Sequence, residues 1–292
     1  MLPANIHFDT PLTLEEVTAG LDALPSAPRV LPQLYTLLRN GDPTLQQVSA
    51  LLRLDPGLTV RVLRMGSQFS ARRGEHCLSV EDAINAVGFD AIHVMVSSVA
   101  DAQIFSRPLS LYSMDADEYW RSSITCALAA ETLAEYAGEE ISLAYTMGLL
   151  HSAGMVAIDE AVGRLEPTLS LAPRAFPRDF ADAERALVGF TQADAGAALL
   201  KAWTFPVTVV EAIRWQYTPL GSPGYARLAS LLQTAKWLSA VVCADEESSP
   251  PPMPVSVVLK PLRLTPERLA HMVVDVRVKW GSVRNLTESI AA

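Results

Sequence analysis

Five histidines and three cysteines are the side chains of this sequence best suited to metal binding or nucleophilic attack, and their spacing supports neither. Cys77, Cys126 and Cys243 form no CxxC pair, which argues against a zinc knuckle and points to buried free thiols. His7, His76, His93, His151 and His271 are scattered, and no GxSxG elbow marks a serine nucleophile. His151 closes a helical pattern and is followed by Ser152-Ala153-Gly154. A lone imidazole there reads first as a packed side chain bonded to a neighbouring helix, and second as part of a ligand pocket. Arg53, Arg61, Arg64, Arg72 and Arg73 gather around Asp55 in an otherwise acidic chain. Arg61 and Arg64, three apart on one helix face, could take an anion; the plainer reading is solvated faces with internal ion pairs. Trp203, Phe205, Trp215, Tyr217 and Trp237 suit inter-helix packing better than a base-stacking platform.

The elements that must position these groups are helices. Thr13-Leu-Glu-Glu16 and Thr44-Leu-Gln-Gln47 are capping boxes, in which a threonine oxygen takes a first-turn amide and the later side chain reaches back. Asp55-Pro56 supplies an N-cap and a first-turn proline, and Ser79–Asp82 opens a helix that Gly88 ends as a left-handed cap. From Asp90 an apolar segment runs to about Phe105, and Arg107–Asp117 is a turn-rich boundary. Helical patterns follow over Glu118–Tyr136, Glu140–Leu150, Ala181–Val188, Gln192–Ala202, Pro206–Trp215 and Pro223–Ala244, with a proline-containing loop at Gly163–Arg178. Ala193, Ala195, Gly196, Ala197 and Ala198 carry so little bulk that another helix can come close. The expected class is all-α: residues 1–108 and 109–244 as two helical halves, 245–256 as an extended proline-rich linker, and 257–292 as a tail. In that tail Val255–Leu262 reads as a short strand or tether before an amphipathic helix, which is expected to dock on its own chain.

Half of the 292 residues are apolar, enough for a sizeable core, and 23 Lys+Arg against 32 Asp+Glu leave a net charge of −9. That balance disfavours a general nucleic-acid binder. With no basic, then apolar, leader at the N-terminus, and apolar runs such as Ile92–Ala100 well short of a membrane span, the chain is expected in the cytoplasm and not in a membrane.

In order along the chain, Leu24-Pro25, Asp55-Pro56-x-Leu58, Leu63-Arg64…Ser67 and Val80…Ala83-Ile84…Gly88 are followed by Tyr119-Trp120-Arg121-Ser122 and Gly148-Leu149-Leu150-His151. Phe190-Thr191…Gly196…Leu199-Leu200…Trp203…Pro206…Val210-Glu211-Ala212-Ile213 complete the series. Over roughly residues 20–245 this resembles HDOD domains, the HD-related output domains of bacterial signalling proteins. Gly66 departs from it, standing where the family usually has Asn.

The resemblance implies a helical bundle related to the HD phosphohydrolases, whose His, His-Asp doublet and later Asp hold divalent metals. There the metal lowers the pKa of its bound water and polarises a phosphoryl oxygen. By the same resemblance Ser122, Ser152, Gln192 and Lys236 stand where ligands are expected, and only His151 remains. No metal, cofactor or catalytic residue is therefore expected. Lys236 either replaces the cation between helices, with Asp194, Glu211 or Asp159 as counter-ion, or faces solvent. The implied function is a non-catalytic signalling module that binds a protein partner through the groove between its halves or through its tail. With no receiver, kinase, GGDEF or EAL segment in the sequence, its input is expected in trans or through expression. The alternative is a sensor of a small anion or nucleotide, with Lys236, His151 and the arginines as donors. A divergent phosphohydrolase ranks last.

Overall fold

The computed structural model describes residues 12–291 apart from 20, 22–23, 25–29, 41, 72–76, 78, 102–106, 172–179 and 245–250. His7, His76, Arg72 and Arg73, and parts of the expected loop and linker, lie outside the described residues. Among those described, the chain is helical and no strand is present. In order, the helices are α1 (Leu14–Ala19), α2 (Leu31–Asn40), α3 (Leu45–Arg53), α4 (Pro56–Ala71), α5 (Val80–Val87) and α6 (Phe89–Asp101). They continue as α7 (Ala116–Ala137), α8 (Ile141–Leu150), α9 (Ala153–Leu165), α10 (Ala181–Val188), α11 (Gln192–Ala202), α12 (Val207–Arg214) and α13 (Ala226–Cys243). A short α14 (Ser256–Leu259) and the long α15 (Pro266–Ala291) follow.

Local capping chemistry starts these helices where the residues dictate. Thr13 and Glu16 answer each other's amides at α1, and Thr44 and Gln47 do so at α3. The buried Asp55 carboxylate accepts the Leu58 amide at 2.9 Å, and Ser79 accepts that of Asp82. Gly138 ends α7 in the left-handed region at φ 71°. Gly88 ends α5 at φ 81° but with ψ at 162°, so it is not the left-handed helical cap expected.

Two apolar cores result. One joins α2 to α6 through residues such as Leu34, Leu52, Leu58 and Ile92. The other is built around α7, with α8, α13 and α15 packed against it, and also takes in Val17 of α1. The cores are stitched where α3 meets α4. Trp120 Nε1 donates to the Leu54 carbonyl at 2.8 Å, Tyr145 Oη to that of Arg53 at 2.7 Å, and Arg53 pairs with Glu131.

Helices of the second core cross at backbone distance. A Cβ on Gly148 would lie 2.6 Å from the Cys126 carbonyl oxygen, and one on Gly154 would lie 2.6 Å from the Gly196 nitrogen. The small residues of α11 are what admit α9. Gly66 has the same explanation in the first core, where a Cβ would sit 2.6 Å from that of Ala83.

Three further expectations are corrected. The segment Ile141–Leu165 is long and apolar enough to cross a membrane by composition, but 89% of its most apolar window is buried within the fold, as in a core helix. The loop expected from Gly163 starts only after Leu165, where α9 ends. Val255–Leu262 is neither strand nor tether: it folds as α14 and a 3₁₀ turn, with Val258, Leu259 and Leu262 buried. Beyond it, α15 packs on α7 and α13, and Trp280 lies 5.6 Å from Trp120 ring to ring.

Candidate functional site

A cavity of about 840 Å³ opens in the second half, between α7, the α8–α9 turn, the N-terminus of α11, α13 and the segment 251–258. Ser122, His151, Ser152, Gln192 and Lys236 all line it. Residues drawn from four separate helical segments thus converge on one space. Arg61 and Arg64 do not reach it: both lie on α4, and the Arg64 guanidinium stacks over Trp203 at 4.9 Å. His93 lies on α6 and His271 on α15, also away from the cavity.

The inner wall is a hydrogen-bonded chain. His151 is buried, and its Nδ1 lies 2.8 Å from the Gly148 carbonyl oxygen. A carbonyl only accepts, so Nδ1 carries the proton and Nε2 keeps a lone pair. Burial, reinforced by the Lys236 charge, pushes the imidazole pKa down to about 3, which leaves the ring neutral at physiological pH. Gln216 fixes the turn by donating its Nε2 to the carbonyls of His151 and Ile213, each at 3.0 Å. Its Oε1 then accepts from Lys236 Nζ at 2.8 Å. Lys236 is half-buried, with Nζ 4.0 Å from the centroid of Tyr217, a cation–π contact. The Gln192 side-chain amide donates to Tyr217 Oη at 3.0 Å, while its backbone amide donates to Glu184 Oε2 at 2.7 Å. Glu184, wholly buried, also accepts the Tyr112 hydroxyl at 3.0 Å, and burial followed by this carboxyl's proximity raises the Tyr112 pKa well above its ordinary value.

Several polar atoms beside this chain remain unsatisfied. Ser152 Oγ, Gln192 Oε1, Tyr119 Oη and Ser123 Oγ are buried with no hydrogen-bond partner. Burial raises Tyr119 to about 12, with the neighbouring Ser152 and Ser123 hydroxyls pulling the other way. Ser122 is half-buried on α7, and its carbonyl accepts from Ser239 Oγ at 3.3 Å. The three carboxylates considered as counter-ions to Lys236 are engaged elsewhere. Asp194 closes the α11 capping box, Glu211 holds Arg214 and Trp215, and Asp159 takes Arg107 and the Leu111 amide.

The donor set does not fit a divalent metal. Among the described residues no three His, Cys, Asp or Glu side chains converge: His151, Cys243 and the carboxyl groups of Glu118 and Glu184 line the cavity without forming a ligand group, and the cations Lys236 and Arg121 line it too. None of the three cysteines is in a disulfide; Cys77 and Cys126 are buried, Cys243 half-buried, and burial pushes Cys126 up to about 12. Sequence reasoning missed Glu184, the role of Tyr217, and the 251–258 wall. The wall is anchored by Trp237, whose Nε1 donates to the Pro251 carbonyl at 3.2 Å. The signal for it was a tryptophan on α13 within reach of a proline-rich segment.

Known proteins place this architecture. The family model of the HDOD domain matches residues 24–219. An uncharacterized protein of Treponema pallidum is 26% identical over 225 residues, 74% of this chain and 42% of that protein, so the chain spans less than half of that relative's length. The structure of the MmoQ response regulator of Methylococcus capsulatus superposes with a TM-score of 0.66 at 22% identity, covering 86% of this chain and 98% of that one. A Campylobacter jejuni virulence factor does so at 0.61 and 18% identity, covering 78% and 81%.

Proposed function

The chain belongs to the HDOD domain family, and on that premise we propose that it is a non-catalytic module of bacterial signal transduction that works in the cytoplasm by binding a protein partner. A regulatory role fits the family and the likeness to the MmoQ response regulator. One observation carries the loss of catalysis: Lys236 projects an ammonium into the cavity where, by family resemblance, an HD phosphohydrolase would hold its metal. A fixed positive charge beside a single neutral imidazole opposes a divalent cation, and without that cation no water at the site is acidified for attack. Ser122, Ser152 and Gln192 replace the remaining ligands, and the chain's own residues do structural work in their stead: Gln216 pins the His151 turn and Tyr217 seats the lysine. A second reading, a sensor that takes a small ligand in the same cavity, is favoured by the buried, unpartnered Ser152 and Gln192 oxygens.

Protein purified without chelator is expected to carry no stoichiometric divalent metal and to turn over neither phosphodiesters nor nucleotides. Stoichiometric metal together with turnover overturns the non-catalytic reading. Co-purification from the native host is expected to return a defined partner, and repeated recovery of none removes the interaction.

A further inference from the structure

The cavity presents two surfaces of opposite character to a ligand. At its inner end, Ser152 and Gln192 are only 4% and 2% exposed, and their side-chain oxygens lack partners beside the Lys236 ammonium and the neutral His151 ring. Around its mouth stand Leu220, Met253, Val255 and Val257, large apolar side chains 48%, 42%, 63% and 52% exposed. An opening ringed by exposed apolar side chains, with unsatisfied polar groups behind it, matches a molecule polar at one end and apolar at the other.

Resting on the sensor reading, we propose that the cavity binds an amphiphilic monocarboxylate bearing a hydroxyl near its carboxylate. The carboxylate meets Lys236, the hydroxyl lies between Ser152 and Gln192, and the hydrocarbon runs outward along Leu220, Met253 and Val257. The charge inventory selects one negative charge. Lys236 and Arg121 attract an anion, but the carboxyl groups of Glu118 and Glu184 line the same cavity, balance that charge and oppose a polyphosphate. A hydroxyl both donates and accepts, so it satisfies Gln192 whichever way that amide is turned. A volume of about 840 Å³ lies within the range of small-molecule sites.

Trp237 lines the cavity and provides the readout. Binding of 3-hydroxydecanoate, decanoate, 1-decanol and cyclic di-GMP to the full chain would be followed by tryptophan fluorescence and calorimetry. The expected order is 3-hydroxydecanoate, then decanoate, then 1-decanol, with no binding of the dinucleotide. Lys236→Met should weaken 3-hydroxydecanoate by about tenfold to a hundredfold, the range for a charge-assisted bond. It should leave 1-decanol unchanged, which also reports an intact cavity. Ser152→Ala removes an unpartnered hydroxyl and so is not expected to unfold the protein; it should abolish the preference for the 3-hydroxyl acid over decanoate. Equal affinities for acid and alcohol, or no effect of Lys236→Met, overturn the carboxylate assignment. Binding of cyclic di-GMP without 3-hydroxydecanoate overturns the ligand class and leaves the sensor reading standing. Failure of all four probes overturns both.

Discussion

In the core of residues 30–99, Asp55, Ser79 and Thr59 bond to backbone groups three, three and seven residues away. In the core around α7, the bonds Tyr112–Glu184, His151–Gln216 and Gln192–Tyr217 span 72, 65 and 25 residues, and they enclose a space instead of capping a helix. The first half uses buried polarity to start helices. The second caps helices too, as Thr191 does at α11, but also uses buried polarity to join distant helices around a cavity.

That contrast can be broken or sharpened by substitution. The largest effect is expected at Gly154, where a Cβ would collide with the α11 backbone, 2.6 Å from the Gly196 nitrogen. Gly154→Ala should cost about 3 kcal/mol or more in urea unfolding, the upper end of overpacking, because two backbones cannot yield as a side chain can. An unaffected midpoint would remove the rigid crossing from the comparison.

Next comes acid. The His151 pKa of about 3 lies below the ordinary 6.5, so between those values the unfolded chain binds a proton that the folded one refuses. Its contribution to stability is therefore whole above about pH 6.5 and falls as the pH drops toward 3. At about 1.4 kcal/mol per pH unit, roughly 2–3 kcal/mol is lost between about pH 6 and pH 4. Denaturant titrations over that range should show the slope, and His151→Gln should flatten it. An identical slope in the variant would assign the acid limb to other groups.

In the first core, Asp55→Ala removes a buried cap and should cost about 2 kcal/mol, read as a lower melting temperature with the cavity's ligand behaviour unchanged. The smallest effect is expected at the seam. Tyr145→Phe keeps the ring and deletes the bond to the Arg53 carbonyl, for about 1 kcal/mol. A split calorimetric transition in that variant would show the two cores to be separate folding units.

Legibility in the sequence follows the same division. The caps at Thr13, Thr44, Asp55 and Ser79 are readable because donor and acceptor lie three residues apart, a spacing the sequence displays directly. The convergence of Ser122, His151, Ser152, Gln192 and Lys236 could be expected only through family resemblance, since no local spacing brings them together. Glu184 stayed invisible: beside Asp182 on a short helix it looks like part of a solvated face, and only the Tyr112 hydroxyl and the Gln192 amide explain its burial. The proline-rich stretch reads as an extended linker by composition, yet Pro251 is buried and its carbonyl accepts from Trp237 Nε1. Composition describes a segment's own preference and is silent about what it touches.

Gly148 and Gly154 bracket the turn that carries His151 and Ser152, and both sit against a neighbouring backbone with no side chain between. That turn is therefore held by contacts between backbones. The opposite face of the cavity is held through the Trp237–Pro251 bond and the single turn of α14, beyond which the chain enters α15. One side of the chamber is thus set by backbone crossings, while the other ends at Val258, eight residues before the C-terminal helix begins.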